Sequence, residues 1–269
     1  MVREARSKYP GSMFISHPRS GLTWFRWMFH ELRKRHDPEN LKKHPNDGEE
    51  HNPLIAYDHD GMGLITTNQR HRMLPWRRGN NRWTKRKVVF LARDPRDVLL
   101  SNFYILVVRG EYLASRRRWV EGLDLNAFFR HKAWGLKILV EWLVWWEKNK
   151  RGCRDFMPLF YEETLANPLS ALSCAVEMAT SEEVPIETLE WVVGASTFEV
   201  MKQQEQQHGR LFTDQRGAIN GDERTAIIRK GKAGQWKDEL SEELQDWCDG
   251  VMEPLRGTFM ERYTWRCNQ

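Results

Sequence analysis

Apolar residues along the chain fall into short unbroken runs that alternate with stretches of three-to-four-residue spacing. The opening pair is "SMFIS" (12–16), a β-prone run, followed from Thr23 by Trp24, Trp27, Met28 and Leu32 at helical spacing. "PLIAY" (53–57) predicts a second strand, ended by "DHDG". "KVVFLA" (87–92) is continuously apolar, as a parallel strand covered on both faces must be. "RDPRDVLLSNFYILV" then reads as a helix, with Pro95 near its first turn, where the missing N–H costs little. "WGLKILVEWLVWWEKNK" carries Lys137 and Glu141 inside an apolar stretch and reads as a buried helix. "FMPLFYE" (156–162) is a fourth strand, and "TLANPLSALSCAVEMA" a helix begun or interrupted at Pro168.

Beyond it the pattern fades. Residues 203–228 are polar, Gln-rich and Gly-punctuated, which predicts a mobile loop or lid. "RKGKAGQWKDELSEELQDWCDGVM" then reads as a basic loop leading into a helix. Short apolar strands alternating with helices argue for a layered α/β fold with a parallel sheet. Ligands of such sheets gather at the strands' carboxyl ends, which puts the loops after 12–16, 53–57 and 87–92 in view. With 269 residues and no repeat or Gly/Ser linker, a single domain over 1–269 is expected.

Composition narrows the classes. The 40% hydrophobic and 29% charged fractions suit a soluble globular chain, and no segment approaches the ~20 apolar residues of a membrane span. "MVREARSKYPGSMF" lacks the apolar stretch of a secretory leader, and the four cysteines lack disulfide-framework or metal spacing, so a cytoplasmic protein is expected. A formal net charge of +5 favours anionic ligands. Two basic, Trp-bearing stretches, "WRRGNNRWTKRK" (76–87) and "SRRRW" (115–119), read as solvated charge over packed Trp, the alternative being a nucleic-acid-binding surface. The chain carries no recognisable nucleic-acid-binding motif, so no nucleic-acid partner is expected.

Three segments have the composition of anion sites. In "HPRSGLTW" a strand turns through Ser20 and Gly21 into a helix N-terminus, where exposed N–H groups and the helix dipole suit a phosphate. It is shorter than the GxxxxGK[ST] loop and has no Lys before Thr23, and a purely structural turn fits it as well. In "RDPRDVLLSNFY", Arg93 leaves a strand end and Ser101 follows eight residues later, roughly two helical turns on. A helix start capped by Asp94 and Asp97 explains the same residues. "RKGKAGQW" offers three cations and two glycines, the makings of a loop that wraps an anion or of a solvated basic loop.

Together these segments resemble one family, the sulfotransferases that use 3′-phosphoadenosine 5′-phosphosulfate, and its soluble members above all. "HPRSGLTW" is similar to the family's phosphosulfate loop Y-P-K-S-G-T-T-W, "VVFLARDPRDVLLSNFY" to its 3′-phosphate segment, and "RKGKAGQWK" to its C-terminal R-K-G-x-x-G-x-W-K loop. "LFYEETLANP" (159–168) and "STFEVMK" (196–202) are weaker echoes in the same order. The resemblance implies a three-layer fold like that of the P-loop NTPases, a central parallel sheet flanked by helices, and sulfuryl transfer without a metal. By matched position it implies that Arg19, Ser20, Gly21, Thr23 and Trp24 hold the phosphosulfate end, with Trp24 also near the adenine. Arg93 and Ser101 would grip the 3′-phosphate with Arg229, Lys230 and Gly231, and Tyr161 and Phe198 would line the adenine. Departures are Arg19 for the family's Lys, Leu22 for a Thr, and "KDELSEELQD" in place of the family's dimerisation pattern, which leaves the oligomeric state open.

Transfer needs a base for the acceptor's proton. The resemblance implies a His, and two compete. His59 directly follows the strand "PLIAYD" and has Asp58 and Asp60 beside it; His71 has the more family-like separation from Arg93, 22 residues. The strand-end position favours His59. The Lys that usually precedes the family's His is missing in both places, so Arg19, with Arg70 or Lys230, would cover the leaving-group charge. His17 is a third histidine, expected to make a structural contact. The acceptor would be a small molecule, an alcohol, amine, sugar or alkaloid-like natural product, met by loops 60–84, 105–125 and 203–228. A nucleotide kinase of related fold is the alternative enzyme, without the Lys-Ser/Thr pair and magnesium carboxylate it would need.

Overall fold

Among the described residues four parallel strands form one sheet in the order β2-β1-β3-β4: β1 is Ser12–Ser16, β2 Ala56–Asp58, β3 Lys87–Ala92 and β4 Asp155–Phe160. The structure, a computed structural model, describes residues 11–36, 56–58, 83–110, 120–180, 183–208, 226, 228 and 230–264. Strand pairs run Phe14↔Tyr57, Ser16↔Leu91 and Ala92↔Phe160, so all four carboxyl ends open on one edge.

Alternation along the central strands divides the core into two layers, because successive side chains of a strand point to opposite faces. Met13, Ile15, Val88 and Phe90 face one cluster, which holds Trp142 and Trp146 of α4 (Leu136–Asn149) and Leu244 and Cys248 of α10 (Glu242–Met252). Phe14, Val89 and Leu91 face the other, formed by Phe25, Met28, Phe29 and Leu32 of α1 (Leu22–His36), Leu172 and Val176 of α6 (Pro168–Thr180), and Leu189 and Val192 of α7 (Ile186–Gly194). A continuously apolar β3 is what this two-sided burial demands, and its last five residues are all buried. The result is the expected three-layer α/β arrangement.

The remaining helices are α2 (Pro95–Phe103), α3 (Leu125–Phe129), α5 (Tyr161–Ala166), α8 (Phe198–His208) and α9 (Trp236–Glu239). Several boundaries differ from the pattern-based expectation. The helix read through Val107 loosens to π-type turns over Tyr104–Val108. The strand expected to run to Glu162 stops at Phe160, and Tyr161 opens α5, which ends at Ala166, with Asn167 as its C-cap, because Pro168 begins the next helix. Residues 203–208, expected in a loop, continue α8, where Met201 and Glu205 are buried one turn apart. Of "PLIAY", residues 56 and 57 are in β2; 53–55 lie outside the described residues.

The strand order explains where a ligand should go. From β1 the chain moves to one side to form β2, then crosses to the other side to form β3, so the connections diverge between β1 and β3. Divergent connections leave a crevice at those carboxyl ends.

Candidate active site

The loop 17–21 leaves β1 into that crevice. Its backbone is left-handed at Arg19 (φ 78°) and Gly21 (φ 97°), while Ser20 between them keeps a negative φ. Alternating backbone handedness turns successive N–H groups toward a common point, a concavity that suits an anion. Arg19 holds a conformation that glycine adopts more cheaply. Gly21 is there for space as well: a Cβ would lie 2.7 Å from the ring of Tyr161. The turn is closed by Ser20 N–H donating to the His17 carbonyl at 3.2 Å, and α1 follows at once, with no acidic residue in its first turn to offset the dipole. Ser20 is buried and Thr23 half-buried.

Arg93 joins three segments. It follows Ala92, whose register partner on β4, Phe160, precedes Tyr161, and its guanidinium lies over the Tyr161 ring, 4.4 Å from the centroid. Nη1 donates to the Arg19 carbonyl at 3.0 Å and Nη2 to the Lys232 carbonyl at 3.1 Å. Nε is buried, with no hydrogen-bond partner among the described residues. Loop 17–21, the segment after β3 and the basic C-terminal loop therefore meet at one side chain.

Asp97, read from the sequence as a helix-start residue, has a further task. Its carboxylate accepts from the Gly234 amide at 2.7 Å and the Trp236 amide at 3.1 Å, with Arg93 Nη2 at 3.6 Å. Burial pushes this carboxyl above its ordinary value, and Arg93 acts against that rise. Arg96 is buried beneath the loop: it chelates Asp94 through Nε at 3.0 Å and Nη2 at 2.8 Å, pairs with Asp249 at 2.9 Å and lies 3.5 Å from the centroid of Trp236. Glu162 accepts from the Asp94 amide at 3.1 Å and from the Tyr263 hydroxyl, and burial raises its carboxyl too. "RDPRD" thus supplies one guanidinium facing the crevice and an ion cluster that anchors the loop behind it. The cue was the repeated Arg-Asp spacing, but only the fold says which Arg faces which way.

Three aromatics line the same edge. Trp24 meets Tyr161 edge to face at 6.3 Å, and its indole N–H donates to the Ser196 carbonyl at 2.8 Å, which ties it to the start of α8. Phe198, the first residue of α8, packs on Gly231, where φ is +60° and a Cβ would lie 2.4 Å from the ring. Ser101 is half-buried on α2. Lys230 pairs with Glu239 at 2.9 Å. The donor set is cations, hydroxyls and backbone N–H groups beside aromatic rings, which fits an anionic nucleotide.

His17 makes the structural contact expected of it: Nδ1 lies 2.7 Å from the Pro18 carbonyl, which can only accept, and the ring meets Trp142 edge-on at 6.0 Å. Of the basic Trp-bearing stretches, Trp83 is packed against Trp145 and Trp146 in the core and is 4% exposed, too little to stack on a base. His59, His71 and Arg229 lie outside the described residues.

Comparison with known proteins shows the family. The family model for the sulfotransferase domain matches residues 10–260. Cytosolic sulfotransferase 17 of Arabidopsis thaliana is 26% identical over 277 residues, covering 93% of this chain and 75% of the relative. The 3-beta-hydroxysteroid sulfotransferase of Cavia porcellus is 23% identical over 283 residues, covering 98% and 92%. Among solved structures, retinol dehydratase in complex with androsterone and the inactive cofactor PAP superposes with a TM-score of 0.60 at 19% identity, covering 93% of this chain and 82% of that one. A mouse sulfotransferase complexed with PAP gives 0.57 at 15% identity, covering 93% and 86%. At such identities the structural likeness speaks for the fold. The family match over 10–260 spans the whole sheet and every loop of the crevice, and the chain belongs to the sulfotransferase domain family.

Proposed function

We propose that this enzyme, a sulfotransferase that moves a sulfuryl group from 3′-phosphoadenosine 5′-phosphosulfate to a small-molecule acceptor, delivers it to a hydroxyl or an amine and holds the donor in the crevice between β1 and β3. Arg19, Ser20, Gly21 and Thr23 bind the phosphosulfate end through the alternating backbone and the first turn of α1. Trp24, Tyr161 and Phe198 enclose the adenine. Arg93, Ser101, Arg229, Lys230 and Gly231 bind the 3′-phosphate. The observation that carries this reading is the double hydrogen bond of Arg93 to the Arg19 and Lys232 carbonyls, which draws three segments into one anion site.

When bound, the donor supplies an activated sulfuryl group. Arg19 offsets charge that grows on the leaving phosphate oxygen, a contribution worth most in a site that excludes water. The base is assigned to His59, which follows Asp58, the last residue of β2; Asp58 is in register with Ile15, so β2 ends beside the phosphosulfate loop. His71 is the alternative. The base takes the acceptor's proton as its oxygen or nitrogen attacks.

A hydroxyl or amine acceptor is supported by the relatives' own names, a hydroxysteroid sulfotransferase and the amine sulfotransferase of Oryctolagus cuniculus. A cytoplasmic location is part of the proposal; no helix among the described residues is long and apolar enough to cross a membrane. Adenosine 3′,5′-bisphosphate at a hundredfold excess over its Kd should stabilise the fold by about 2.7 kcal/mol, a rise of roughly 5–10 °C in Tm. No shift at millimolar ligand would overturn the cofactor assignment.

A further inference from the structure

Glu239 is an acid set against the cations of the basic loop. It ends α9, and its Oε1 lies 2.9 Å from Lys230 Nζ. Its other oxygen accepts from the hydroxyl of Tyr104 at 2.6 Å. Tyr104 lies three residues after Ser101. The carboxylate is thus clamped between the two segments that carry the ligands assigned to the 3′-phosphate. Its side chain is 18% exposed against 49% for Lys230. The lysine is the partner free to turn, and the acid stays with the tyrosine.

We propose that Glu239 is the resident counter-ion of Lys230 and competes with the donor's 3′-phosphate for that ammonium, so that it weakens donor binding and speeds release of the nucleotide product. The inference rests on the assignment of Lys230 to the 3′-phosphate. A half-exposed Lys–Glu pair is weak enough for a phosphate dianion to displace. After the exchange Glu239 still faces the dianion with its charge, held there by Tyr104, and like charges at this range repel.

The test is calorimetric titration of adenosine 3′,5′-bisphosphate and of 5′-AMP, which lacks the 3′-phosphate, into wild type, Glu239→Gln, Tyr104→Phe and Lys230→Ala. Glu239→Gln should bind the bisphosphate about threefold to tenfold more tightly at low ionic strength, with the gain shrinking as salt screens the charge. Its 5′-AMP affinity should not change. Tyr104→Phe, which removes one hydrogen bond that holds the carboxylate in place, should shift the bisphosphate in the same direction by a smaller factor, and Lys230→Ala should weaken it. Unchanged or weaker bisphosphate binding in both Glu239→Gln and Tyr104→Phe overturns the competition while the assigned site stands. A wild type that binds the two nucleotides equally overturns the 3′-phosphate assignment itself, and the competition with it.

Discussion

Asp97 and Gly234, 137 residues apart in the chain, are joined by a 2.7 Å hydrogen bond from the Gly234 amide to the buried carboxylate. The Trp236 amide donates to the other oxygen, so one side chain seats the basic loop on the start of α2. Asp97→Asn keeps the shape but sets an NH2 group against a backbone donor, and leaving a buried donor unsatisfied costs about 1–3 kcal/mol. The Kd for adenosine 3′,5′-bisphosphate should rise about tenfold or more while urea unfolding shows a loss within that range. Unaltered nucleotide affinity would mean that the loop does not need this seat.

Gly21→Ala should cost more than an ordinary glycine replacement, because the new Cβ meets the Tyr161 ring at 2.7 Å on a backbone with φ of 97°. Strain of this kind is of order 1–3 kcal/mol, and relief by moving Tyr161 would disturb the ring assigned to the adenine. Thermal melts and nucleotide titration should both register it. A variant with native affinity and native Tm would show that loop and ring are slack.

Arg96 is held by two carboxylates and stacked on Trp236. Arg96→Ala leaves Asp94 and Asp249 facing each other without their cation, and breaking a buried pair in this way costs about 3–5 kcal/mol. Arg96→Lys should recover little, since an ammonium can neither chelate Asp94 nor stack flat on the indole. The denaturant midpoints of the two variants test this; full recovery by Lys would reduce the site to simple charge balance.

If His59 is the base, His59→Ala retains binding of adenosine 3′,5′-bisphosphate and loses transfer by a factor of roughly 10²–10⁴, the usual contribution of general base catalysis. His71→Ala measured beside it should keep most of its turnover. The reverse result assigns the base to His71.

Thiol chemistry reports on the layer that holds α4 and α10. Burial raises Cys248 to about 12 and Cys153 to about 11, so neither forms much thiolate at pH 8, and Cys174 is exposed. In a Cys267→Ser background, a maleimide should label the exposed Cys174 of the native protein quickly and the buried Cys248 only as the chain unfolds. Cys248 should stay slow from pH 7 to 9, since burial bars the reagent; fast labelling would mean that the layer under α10 opens.

Much of this was legible along the chain. Unbroken apolar runs marked β1 and β3, because strands covered on both faces have no polar side to show. The anion segments were legible from composition, since only cations, small hydroxyl residues and glycine suit a backbone that approaches a phosphate. Boundaries were less so: the pattern carried "FMPLFYE" past Phe160 and put 203–208 in a loop, because termini depend on caps and on what packs there, as Met201 and Glu205 do in α8.

By itself the sequence determined the layer order of apolar and polar positions, and the residue types available to an anion. The tertiary structure decided their division of labour: of the two arginines in "RDPRD", Arg93 lies over Tyr161 at the sheet edge while Arg96 is buried with Asp94 and Asp249. It also decided that Asp97 holds the C-terminal loop and that Glu239 takes Lys230. Local sequence records which charges exist; which charges meet depends on strand register and on chain returning from more than a hundred residues away.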